Sequence, residues 1–144
     1  DCTDLSFLGD ECCSEIYASH VLEHLGYDGE LQAALQGFFR VLRPGGRLRI
    51  SVPDLEILCQ LFLDPAFKTD QRYQVMMMMY GGRQDIHDVH QCGLTFEFLD
   101  RFLKDAGFKH ISRVETFDEF HDTSHLHFGG RLISLNMEAY SYYK

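Results

Sequence analysis

A chain of 144 residues is long enough for one domain with a real core. Hydrophobic residues make up 45% and charged residues 24%, the balance of a globular protein, and a formal net charge of -9 excludes a sequence-independent nucleic-acid binder, since it repels a polyphosphate backbone. No apolar run approaches the length of a membrane span and none has the order of a signal peptide, so no membrane partner is expected.

In chain order, residues 13–19 read as a short buried strand. Asp28 is a plausible N-cap, with Glu30 suited to the first turn of the helix that follows. Leu31, Leu35, Phe38, Phe39 and Leu42 then recur at helical spacing. Pro44-Gly45-Gly46 is expected to end this helix in a tight turn. Leu48, Ile50 and Val52 alternate with Arg47, Arg49 and Ser51, which predicts a strand with one apolar face, stopped by Pro53. Asp54 caps the next helix, and residues 71–80, with the run Met76 to Met79, continue as helix after a break. Gly81 to Gly93 is a polar loop rich in His and Asp. Thr95 caps an amphipathic helix ended by Gly107. Residues 111–117 and 131–138 read as two strands around a His-rich loop, Phe120 to Gly130. Residues 1–144 show no linker and read as one domain. Alternating strands and helices imply a parallel α/β sheet, and a final strand reached without a helix runs antiparallel to its neighbours.

The five cysteines, Cys2, Cys12, Cys13, Cys59 and Cys92, are odd in number and include no C-x-x-C pair. That argues against a disulfide framework or a zinc ribbon and for a reducing, cytoplasmic compartment.

Three segments are specific when taken together: Asp1-Cys2-Thr3-Asp4-Leu5-Ser6-Phe7, Ile16 to Leu25 with Ser19-His20-Val21-Leu22-Glu23-His24, and Arg40 to Pro53 with Arg40-Val41-Leu42-Arg43-Pro44-Gly45-Gly46. Their order and spacing resemble class I S-adenosylmethionine-dependent methyltransferases of the small-molecule type. Tyr80-Gly81-Gly82, His90 with Gly93, Ala106-Gly107-Phe108, Asp122-Thr123-Ser124 and Ile133 to Ala139 further resemble predicted bacterial methyltransferases associated with cell-surface sugars. The resemblance implies a Rossmann-like sheet ordered 3-2-1-4-5-7-6. This chain would supply strands 4-5-7-6, the last antiparallel, with flanking helices. A glycine-rich turn and an acidic ribose-binding residue would precede Asp1, so the chain reads as the C-terminal part of a methyltransferase domain. No G-x-G-x-x-G occurs in it to replace them.

The resemblance also implies a cofactor site. Asp1 and Cys2 match the loop that contacts adenine, and Ala18, Ser19 and His20 match the end of the fourth strand, near the methionine and methyl group. Weak or absent binding of S-adenosylmethionine is expected of this chain alone. If the small-molecule acceptor is a hydroxyl, a base helps, and His20 and His90 are the candidates. His20, Glu23 and His24 stand at i, i+3 and i+4, a spacing that on a helix brings three metal donors to one face. Some class I methyltransferases carry a similar E-x-x-E-H site, but the weak spacing of the His clusters and the missing Cys pair lead us to expect no metal requirement. The cluster His121, His125 and His127 reads as a solvated loop. A homodimer is expected through the exposed edge of strand 13–19. The alternative function is a non-catalytic interaction module on a degenerate methyltransferase fold, which the upstream sequence would separate from an enzyme.

Overall fold

The computed structural model describes residues 2–84 and 86–142. Four strands form the main sheet: β1 (Cys13–Ser19), β2 (Leu42–Pro53), β3 (Lys109–Val114) and β6 (Ser134–Tyr140). Their order is β1-β2-β6-β3. β1 runs parallel to β2, whereas β6 is antiparallel to both β2 and β3. This is the 4-5-7-6 arrangement with its antiparallel last strand. A small hairpin of β4 (His127–Phe128) and β5 (Arg131–Leu132) lies apart from the sheet. The helices are α1 (Glu30–Val41), α2 (Leu55–Leu63), α3 (Thr69–Tyr80) and α4 (Phe96–Ala106).

Alternation in β2 builds the core. Cross-strand register puts Ala18, Ile50 and Met137 in one row, with Leu48 beside Ala139 and Val52 beside Leu135. Leu31, Leu35 and Phe38 of α1 and Leu99 and Leu103 of α4 close over these rows. Burying each such large side chain stabilises the fold by roughly 1.5–3 kcal/mol. A second cluster joins Leu58 and Leu61 of α2 to Val75 of α3 and to Ile133. Asp54 caps α2 by accepting from the Glu56 and Ile57 amides, and its carboxylate meets Arg113 of β3. Thr95 caps α4, which ends at Gly107 in the left-handed conformation, as the sequence predicts.

The opposite face of the sheet is polar and yet largely covered. Arg49 and Asn136 are buried there. Arg49 reaches Glu119 at 2.5 Å and lies over the rings of Tyr17 and Phe117. Asn136 donates to the carbonyls of Glu115 and Ser124, so the segment after β3 is laid across this face.

Four features differ from the sequence reading. Asp28 does not cap α1, whose N-cap is Gly29 with no side-chain cap bond. Pro44-Gly45-Gly46 does not separate helix from strand: α1 ends at Val41 and β2 begins at Leu42, with the triplet accommodated as a bulge between the pairs Cys13–Leu42 and Glu15–Arg47. Gly45 sits at φ +77, and its amide donates to the Ser141 carbonyl, while Ser141 donates through its hydroxyl to the Arg43 carbonyl. The expected strand 131–138 is split. Gly129 and Gly130, both at positive φ, fold 131–132 back on 127–128, and the sheet strand starts only at Ser134. The expected strand 111–117 is shifted to 109–114, because the chain leaves the sheet after Val114 to cover Asn136.

Candidate functional site at the ends of the parallel strands

The parallel pair β1 and β2 ends at Ser19 and Pro53. Open α/β sheets bind ligands outside the carboxyl ends of such strands. His20 is the first residue beyond β1. Its φ is +52, a left-handed conformation that costs a non-glycine residue of order 1–2 kcal/mol. Its amide donates to the Ser51 carbonyl at 2.8 Å, which holds the turn in place.

Both ring nitrogens of His20 are engaged. Nδ1 lies 3.2 Å from Oε1 of Glu23, and Nε2 lies 3.1 Å from the Ser134 hydroxyl, which donates to the Thr123 carbonyl. Glu23 is only 2% exposed, and neither of its carboxylate oxygens accepts a hydrogen bond. It belongs to a single 3-10 turn, Leu22–His24. The loop between α3 and α4 is tied to that turn: Gln91 and Cys92 donate their amides to the Glu23 carbonyl, and the Gln91 side chain donates to the His24 carbonyl. His24 in turn places Nδ1 3.1 Å from the Val89 carbonyl. These ties bring the His90 ring edge-on to the His24 ring, with centroids 5.0 Å apart.

Burial pushes the His90 pKa below its ordinary value; the Glu23 charge pulls the other way and the His24 charge adds to the fall. The Cys92 thiol is pushed up to about 11, by burial first and then by the Glu23 charge, so it stays protonated and unreactive at neutral pH.

Two clefts open beside His20. One, of about 510 Å³, is lined by Cys2, His20, Val21, His24, Leu25 and Gln91 among others. The second, of about 690 Å³, is lined by His20, Met77, Met78, His90, Leu126 and Phe128 among others. His20 borders both. The second has a largely apolar wall from α3 and the β4–β5 hairpin, with His20, Gln74, Gln84, Asp88, His90 and Thr123 as its polar residues.

Residues 1–50 match the family model described as a methyltransferase domain. Among solved structures, a SAM-dependent methyltransferase from Methanosarcina mazei is 16% identical with a TM-score of 0.60, over 100% of this chain and 66% of that one. Human N-acetylserotonin methyltransferase, solved in complex with SAM, is 15% identical with a TM-score of 0.57, over 99% of this chain and 32% of that one. A possible exported protein from Bordetella parapertussis is 14% identical with a TM-score of 0.62, over 99% of this chain and 43% of that one. The fold is that of the class I methyltransferases. No curated protein matches. The chain spans 43% and 60% of the first two structures it resembles, so it corresponds to part of their length.

Within this methyltransferase fold, β1, β2, β6 and β3 stand as the fourth, fifth, seventh and sixth strands. Of the residues expected to meet the cofactor, Cys2 and His20 line one cleft together. Ala18 is buried in the core instead, 6% exposed. The Ser19 hydroxyl is buried without a hydrogen-bond partner; near it, burial opposes ionisation of Asp122 but the donors Ser124 and Tyr17 outweigh it and hold its pKa at about 2. Asp1 lies outside the described residues. His90 faces the second cleft. His20, Glu23 and His24 do not share a helical face, because His20 precedes the three-residue turn in a left-handed conformation. The sequence reading missed Ser134, which holds His20, and the Tyr17–Asp122 contact at 2.7 Å. Asp122-Thr123-Ser124 had signalled its importance only through the resemblance. No helix among the described residues is long and apolar enough to cross a membrane.

Proposed function

We propose that this chain is the C-terminal part of a cytoplasmic S-adenosylmethionine-dependent methyltransferase that methylates a small polar acceptor, a sugar being the favoured class. The observation that carries the reading is His20, standing beyond the end of β1 where two clefts meet. S-adenosylmethionine supplies a methyl group on a sulfonium. Cys2, His20 and Val21 fit the cofactor side, where the cleft has room and an apolar wall, whereas no acidic side chain among the described residues lines it to meet a ribose. The acceptor takes the cleft bordered by Met77, Met78, His90 and Phe128.

His20 serves as the base in this reading. In the structure the Ser134 hydroxyl donates to the Thr123 carbonyl, so Nε2 of His20 donates to Ser134 Oγ; the base form carries that proton on Nδ1 instead, facing Oε1 of Glu23. An acceptor hydroxyl in the same place would give up its proton to Nε2 as its oxygen takes the methyl group. Such positioned proton transfer contributes about 10²–10⁴-fold, and alignment of nucleophile and methyl supplies much of the rest. His90 borders the acceptor from the opposite wall.

Chemical-shift mapping tests the site. With millimolar S-adenosylhomocysteine, the amides of Cys2, Ser19, His20 and Val21 are expected to shift while those around His127 stay still. Absent shifts, or shifts centred on the His121 to His127 loop, would favour the non-catalytic module.

A homodimer through β1 belongs to the same proposal. β1 has one neighbour in the sheet, β2, no proline, and Glu15 as its one charge. Unpaired strand edges recruit other chains unless blocked, and a symmetric pair closes the assembly. Light scattering at micromolar concentration is expected to report twice the monomer mass; a monomer alone rules the interface out.

A further inference from the structure

We propose that Glu23, His24 and His90 form a site for a divalent transition-metal ion of the zinc type. One donor atom from each lies within 4.8 Å of the other two. Such a site needs these three side chains only and is independent of methyl transfer.

The case begins with Glu23. Buried carboxylates are paired, hydrogen-bonded or bound to metal. This one is 2% exposed and receives no hydrogen bond on either oxygen. Its one close partner, His20 at 3.2 Å, meets Oε1 alone. The adjacent imidazoles add no donor to it. His24 holds Nδ1 against the Val89 carbonyl, an acceptor, so Nδ1 carries the proton and Nε2 the lone pair. The Nε2 lone pair of His24, the His90 ring and a carboxylate that accepts no hydrogen bond therefore converge. Acceptors gathered in a buried space repel one another, and a cation between them removes that repulsion.

The surroundings resemble those of a built site. A histidine ligand commonly donates its second ring N–H to a backbone carbonyl, which fixes its tautomer and orientation. His24 does so toward the Val89 carbonyl. The two amide bonds to the Glu23 carbonyl and the Gln91 bond to His24 fix the approach of the loop that carries His90. Two His and one carboxylate is a zinc donor set that leaves a fourth position open. Zinc bonds of ~2.1 Å put ligand atoms roughly 3.4 Å apart, so donors within 4.8 Å of one another must close by up to about 1.4 Å. His90, on the loop between α3 and α4, is the ligand able to move. His24 borders one cleft and His90 the other, so the open position is reachable from the clefts.

The test uses the whole chain, stripped with chelator and titrated with Zn²⁺ by calorimetry, with Co²⁺ absorption as a second readout. One ion per chain is expected, with the ligand-field bands of a four-coordinate cobalt site. Glu23→Gln and His90→Ala are each expected to weaken binding by roughly a hundredfold or more, since loss of a mere supporting contact already costs 10–100-fold. His127→Ala is expected to leave it unchanged. Because Glu23 is buried, its variant is read only after circular dichroism shows a native spectrum; His90, on a loop, gives the same answer independently. Absence of Zn²⁺ and Co²⁺ binding by the folded chain overturns the site. So does binding that survives His90→Ala and is lost with His127→Ala.

Discussion

Titration of this chain with S-adenosylhomocysteine is expected to give a dissociation constant in the millimolar range, or no measurable heat. In the family resembled here, the cofactor lies in a cleft walled by both halves of the sheet. In that resemblance a glycine turn after the first strand and a carboxylate for the ribose complete the cleft, and this sequence holds no G-x-G-x-x-G. The chain offers the cleft beside Cys2, His20 and Val21. A hydrogen bond to a charged group contributes about 1.5–3 kcal/mol. Losing that carboxylate together with the close backbone approach at the turn weakens binding by roughly two to four powers of ten, at ~1.4 kcal/mol per tenfold. A site that would be micromolar in the complete fold becomes millimolar. A micromolar constant would mean that this chain, or a second copy of it, completes the cleft by other residues. His20→Ala then separates those cases, abolishing binding only if the ligand occupies the cleft at the end of β1.

Much of the fold was legible because it rests on local patterns. Alternation of Leu48, Ile50 and Val52 with Arg47, Arg49 and Ser51 has a strand's period of two, and the structure keeps it. The caps Asp54 and Thr95 and the terminating Gly107 are short-range chemistry and sit where the sequence puts them. Boundaries set by distant partners were not legible. The bulge at Gly45 depends on Ser141, far along the chain, and the late start of β6 depends on the hairpin at Gly129-Gly130. The candidate site follows the same rule. Spacing suggested a helical face for His20, Glu23 and His24. A left-handed φ at His20 breaks the helical face, although His20 still lies 3.2 Å from Glu23, and the further donor near Glu23 and His24 is His90 from a separate loop. The His- and Asp-rich composition of residues 81–93 was the available signal. Nothing in their spacing says that the Glu23 carbonyl will anchor Gln91 and Cys92.

Replacing Phe108 by alanine is expected to lower the unfolding free energy by about 3–5 kcal/mol, the range for emptying a buried aromatic site. Phe108 is fully buried and is the largest side chain in that state. It sits directly after the α4 C-cap, where Gly107 at φ +105 turns the chain and the Phe108 amide donates to the Leu103 carbonyl at 3.0 Å. That turn drives the ring into the seam between α1 and α4. There it meets Phe39 edge-on, centroids 5.2 Å apart at 84°, an arrangement worth roughly 0.5–1.5 kcal/mol beyond area burial. Gly107, next to it in the chain, has no side chain to fill the gap. Collapse is therefore limited, and the upper half of the range is expected. Leu63→Ala is the control: Leu63 is 74% exposed, and substitutions at such positions stay within about 0.5 kcal/mol. Denaturant unfolding of the two variants at equal protein concentration provides the comparison. A Phe108→Ala change costing under about 1 kcal/mol would show that α4 does not pack on α1 through this ring.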